Sequence, residues 1–197
     1  MYKRGNGVTV YNSLRRMDAF VPLPSDYGLK AWNGPPHIIG GVAAAVANFY
    51  RTKVWIPENT VITNVHLLVG IAGGSVANGY VAVEEISGTD GTRSGVSAAL
   101  TTVLQSAGEK VIPLAVPIAA QSVGRFVYVL YKVGTATPAP TLAVISGAYL
   151  TVGGIGKTAG SYESFYMTDG APTSAPPAGP TSYLVSAPYY QPWVGIS

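Results

Sequence analysis

The chain has 197 residues and a net charge of +3, with only 11% of its residues charged against 48% hydrophobic. That length suits one well-cored domain with an arm or a small subdomain, and 24 Gly, 15 Pro and 13 Tyr favour an all-β sandwich over a helical protein. No cysteine is present, which excludes disulfides, thiolate metal sites and thiol nucleophiles.

Four basic residues, Lys3, Arg4, Arg15 and Arg16, stand within the first 16 positions. Without interleaved aromatics they point to an acidic protein surface rather than to nucleic acid. The start of the chain lacks the basic, apolar, small-residue order of a signal peptide, and no apolar run reaches bilayer length, so the expectation is a soluble protein made in a cytoplasm with no membrane insertion. Residues 1–48 read as an extended docking arm, because Gly and Pro in "YGLKAWNGPPHIIGG" forbid a long regular element. Phe20, Val21, Leu23, Tyr27, Leu29 and Trp32 are too many apolar groups for a solvated linker, and a neighbouring protein is favoured over the chain's own domain as the surface they cover. The candidate docking residues are therefore Lys3, Arg4, Arg15, Arg16, Phe20 and Trp32. For "GGVAAAVANFY", 40–50, a short helical turn and an extended segment both stay open.

From residue 49 the extended signals become regular. Strands are expected near 49–57, 60–72, 79–87, 92–98, 110–117, 123–133, 141–151 and 162–168, separated by Gly, Asn, Asp and Pro turn chemistry. This spacing implies an antiparallel two-sheet β-sandwich, jelly-roll-like, over 49–169, and the lack of amphipathic crossover helices argues against parallel α/β. In "RTKVWIPENTVITNVHLLVG", 51–70, Val65, Leu67 and Val69 share one parity and Ile62 and Leu68 the other, so both faces look apolar and the second reads as an assembly surface. "RFVYVLYKV", 125–133, is apolar on both faces as well, which implies cover by the arm, the tail or another subunit. Residues 170–197 form a Pro- and Tyr-rich C-terminal extension, extended where Pro dominates and docking where the aromatics gather. Tyr183, Tyr189, Tyr190 and Trp193 are its candidate glycan or partner contacts, since aromatic rings stack on the apolar faces of pyranoses.

Catalytic patterns are sparse. Glu84 and Glu85 are adjacent on a strand and must point to opposite faces, which defeats a shared acid–base site. His37 and His66 are the only histidines, and a hydrogen-bonded structural role outweighs a ligand or base at each. "SGTDGTRSG", 87–95, has one carboxylate, Asp90, and lacks calcium-loop spacing; it reads as a hairpin. "GGIGKTAGS", 153–161, contains Gly-Lys-Thr, but Thr151 stands where a phosphate loop needs its first Gly. No cofactor, metal or catalytic residue is expected.

The segments Lys53–Pro57, Thr60–Leu67, Ser87–Gly95, Gly108–Leu114 and Gly124–Leu130 together resemble β-sandwich modules of tailed-bacteriophage minor tail, fibre and decoration proteins. The resemblance spans about 49–150. It implies a non-enzymatic virion protein, often a homotrimer, active in attachment or decoration. The expected partners are its own copies, other tail or capsid proteins and a host-surface glycan. Alternatives are a capsid decoration or head-fibre protein and a carbohydrate-binding receptor module; a cell-wall hydrolase ranks third for want of convergent acids and bases.

Overall fold

The computed structural model describes residues 23–34, 40–43, 48–87, 90–132, 136–146, 164–168 and 190–197. The described residues form twelve strands: β1 (Ala31–Trp32), β2 (Gly40–Ala43), β3 (Asn48–Ile56), β4 (Ile62–Ile71), β5 (Tyr80–Ser87), β6 (Asp90–Val96), β7 (Gly108–Ile118), β8 (Arg125–Lys132), β9 (Thr141–Ser146), β10 (Ser164–Thr168), β11 (Tyr190–Pro192) and β12 (Val194–Ile196). They form two antiparallel sheets, as the strand and turn spacing requires. The five-stranded sheet runs β10-β3-β8-β5-β6; the seven-stranded sheet runs β1-β12-β4-β9-β11, with β2 added on β9 and β7 on β4. Among the described residues no helix is long and apolar enough to cross a membrane.

Period-2 alternation decides what each strand buries. Val54 and Ile56 of β3, Val81 and Val83 of β5, and Val127, Val129 and Tyr131 of β8 point inward from the smaller sheet. They meet Val65, Leu67 and Val69 of β4, Ile112 and Leu114 of β7, and Val194 and Ile196 of β12. Each such side chain contributes roughly 1.5–3 kcal/mol by leaving water. The segment between β6 and β7 closes one end with Leu100 and Leu104, tied by Val76 N–H to Thr101 O and by Gly73 N–H to Leu104 O, both 2.9 Å.

The 51–70 stretch differs from expectation in one respect. Ile62 pairs with Ile118 while Asn64 pairs with Pro113, so the β4–β7 register shifts between them. On the other edge Thr63 N–H and Asn64 N–H both bond Ser197 O, the two-against-one pairing of a bulge, and the extra residue reverses the parity of what precedes it. Ile62 therefore joins Val65, Leu67 and Val69 in the core. The other face of β4 carries Asn64, His66 and Leu68, with His66 buried between Glu109 and Ser197. The double-faced reading holds for β8 instead, whose residues Val127–Lys132 are all buried.

The largest correction concerns the chain ends. β4 pairs with β7 along one edge from Ile62 to Val69, while its other edge is shared by β9, at Val69 and Ile71, and β12, at Val65–Leu67. β11 pairs with the far end of β9, at Val144–Ser146. Residues 190–196 thus fill the place where β4 and β9 diverge, and Trp193 N–H bonds Ala143 O at the crossing, 2.9 Å. They belong to the sandwich, not to an extension beginning at 170. Residues 29–34 of the expected arm do likewise: β1 pairs with β12, Ala31 opposite Ile196 and Trp32 opposite Gly195, and Leu29 and Ala31 are buried. β2 adds to β9, so Gly40–Ala43 is extended and not a helical turn. Non-local backbone pairing overrides the weak helical preference of its alanine.

Candidate functional site

Two places on this scaffold gather polar or aromatic side chains beyond what packing requires. The first lies where β12 ends against β4. Ser197 N–H bonds Asn64 O at 3.1 Å, and Ser197 O accepts from Thr63 N–H, Asn64 N–H and the Thr63 hydroxyl at 2.8, 3.0 and 2.8 Å. Its Oγ lies 2.8 Å from His66 Nε2 and accepts from Asn64 Nδ2 at 3.1 Å. His66 Nδ1 lies 2.7 Å from Glu109 Oε1 on β7.

The Glu109 carboxylate accepts from Nδ1–H, and the Ser197 hydroxyl, which can donate or accept, meets Nε2. The order carboxylate, imidazole, hydroxyl is that of a nucleophile relay. Here the same hydroxyl also takes the Asn64 amide, and its main chain is bonded into β4. His66 itself is only 7% exposed. What this geometry supports is a clamp that stitches β7, β4 and β12 through one imidazole.

The second place is the outer face of the five-stranded sheet. Toward one end this face is buried: Arg51, Tyr80, Ala82, Glu84, Tyr128, Leu130 and Lys132 all lie out of solvent. Arg51 Nε pairs with Glu84 Oε2 at 3.2 Å, and its guanidinium lies 3.6 Å over the Tyr128 ring. Burial pushes the Tyr128 phenol above its ordinary range, Arg51 opposing and Glu84 adding to the rise. At the other end Trp55 and Phe126 emerge, 48% and 45% exposed, with ring centroids 4.9 Å apart.

Trp193, expected as an exposed contact, is 4% exposed and donates its indole N–H to Gly34 O at 3.1 Å. It serves the intramolecular seam between β12 and residues 33–34, where Asn33 also bonds Pro192 O and Val194 N–H. Trp32 lies half-buried beside Tyr27, centroids 5.5 Å apart, against the chain's own sheet. Tyr190 begins β11. Lys3, Arg4, Arg15, Arg16, Phe20, Tyr183 and Tyr189, together with His37 and the 153–161 segment, lie outside the described residues. Glu84 and Glu85 do face opposite ways: Glu84 pairs with Arg51 and Glu85 with Arg125, at 3.2 and 3.1 Å.

Comparison with protein-family models, curated proteins and solved structures returns no match.

Among the described residues no three His, Asp or Glu side chains gather as a metal site would require. The aromatic corner was legible in principle: in "KVWIP" Val54 and Ile56 take the core parity, which sends Trp55 outward. The Glu109 and Ser197 partners of His66 had no local signal, lying 43 and 131 positions away.

Proposed function

We propose that this chain is a non-enzymatic structural protein of a tailed-bacteriophage virion, a tail or fibre-type module that assembles on the particle with its own copies and contacts the host surface. The observation that carries the reading is the pair Trp55 and Phe126, two large aromatic side chains left half in water on a sheet face whose other end is buried. Apolar surface kept exposed in this way marks a contact with something outside the chain. The sandwich agrees with the fold that the resemblance over 49–150 implies, and the low charge and absent cysteine suit a protein stabilised by packing and assembly. The docking role falls to residues 1–22, because Leu29–Asn33 are built into the chain's own sheet.

Deletion of residues 1–22 tests this. The shortened chain is expected to melt like the full one and to be absent from purified particles; retained incorporation would remove the arm as the dock. Light scattering of the full chain is expected to give a trimer mass. A particle map placing the chain on the head would favour the decoration or head-fibre alternative.

A further inference from the structure

Trp55 on β3 and Phe126 on β8 stand directly opposite in register. Their planes meet at 67°, so the rings form the two walls of a corner and not a flat patch. Lys53, two residues earlier on the same face, places its ammonium 4.4 Å from the Phe126 centroid. Gly124 lets the indole lie where it does: a Cβ on that residue would stand 2.5 Å from Trp55 Cζ2 and 3.1 Å from Cη2. The ring occupies the room a side chain would take. Holding an exposed indole in one position costs rotamer freedom without adding core, but it reduces the ordering cost of binding a ligand.

We propose that this corner binds an anionic saccharide, with the C–H face of a pyranose on Trp55, its edge against Phe126 and its negative group at Lys53. An aromatic face takes the apolar side of a sugar ring while leaving its hydroxyls in water. The sign of the ligand follows from the charges around it. Glu84 is engaged by Arg51 and Glu85 by Arg125, whereas among the described residues Lys53 pairs with no carboxylate and lies over the Phe126 ring. The inference rests on the host-contact half of the function proposed above and names the chemistry of that contact.

The test is calorimetric titration of the full chain with oligogalacturonate, a carboxylated pyranose polymer, and with a neutral cello-oligosaccharide of equal length. The acidic sugar is expected to bind more tightly than the neutral one. Trp55→Ala should weaken binding by about tenfold or more. Lys53→Gln should remove the preference for the acidic sugar, and Gly124→Ala should weaken binding while keeping both rings. Trp55, Lys53 and Phe126 are surface residues, so melting curves of their variants should match the parent. No binding of either sugar, or binding unaffected by Trp55→Ala, overturns the proposal. Loss of self-association in Trp55→Ala without any sugar binding would assign the corner to a second copy and overturn it too. Particle incorporation separates the two readings: a chain that incorporates yet binds no sugar sinks this inference alone. A chain that binds the sugar but never enters particles sinks the virion reading and leaves the site standing.

Discussion

His66 and Ser197 are 131 positions apart and meet through Nε2 and Oγ at 2.8 Å. The contact joins a central strand to the segment that completes its open edge, with Glu109 on the far strand holding the other side of the same ring. Three non-consecutive strands are registered by one side chain.

Ser197→Ala removes the hydroxyl and leaves His66 Nε2 without that partner in a nearly buried position. The expected cost is about 1–3 kcal/mol in urea unfolding. Glu109→Gln should cost less, because the Glu109 side chain is half exposed and Gln keeps an oxygen that accepts from Nδ1–H. A fluorophosphonate reagent should leave Ser197 unlabelled, since a clamp engages the hydroxyl on both sides. Rapid labelling that disappears in His66→Ala would instead make the constellation a nucleophile relay and reverse the non-enzymatic reading.

Removal of residues 190–197 opens one edge of β4 and deletes Val194 and Ile196 from the core. Those two side chains alone represent roughly 3–6 kcal/mol of burial, comparable with the whole stability margin of an ordinary domain. The truncated chain is expected to lose its cooperative melt and to aggregate through the exposed edge. A soluble, cooperatively melting product would show that the segment is an appendage after all.

Alkaline stability reports on Tyr128. Its phenol holds the proton more tightly in the folded chain than in the unfolded one, chiefly because it is buried. The associated stability is complete below the ordinary phenol value of about 10 and is lost as pH rises beyond it toward the folded-state value. Denaturant curves should show unfolding free energy falling above about pH 10, and Tyr128→Phe should make that fall shallower. An equal slope in the variant would mean that other groups carry the alkaline transition.

How far the fold was readable depends on where each strand finds its partner. β3, β5, β7 and β8 are long, rich in β-branched and aromatic residues and bounded by Gly, Asn or Pro turns, so composition and spacing locate them to within a few residues. β1, β11 and β12 have two or three residues each. No local pattern marks so short a strand; Val194 and Ile196 become strand residues because β4 offers them an unpaired edge. Ile62 shows the same limit in reverse: strict alternation put it on the outer face, and only the bulge at Thr63 and Asn64, both bonded to Ser197 O, turned it inward.

By itself the sequence determined the all-β class and the order of the principal strands, since these follow from turn chemistry and a two-residue period. The tertiary structure alone decided that the last eight residues are built into the sandwich, that Trp193 is interior, that His66 joins Glu109 to Ser197, and that Phe126 and Lys53 meet Trp55 in one corner. Those outcomes depend on register between strands distant in sequence, and register is set by the competition of whole edges for hydrogen bonds and of whole faces for burial.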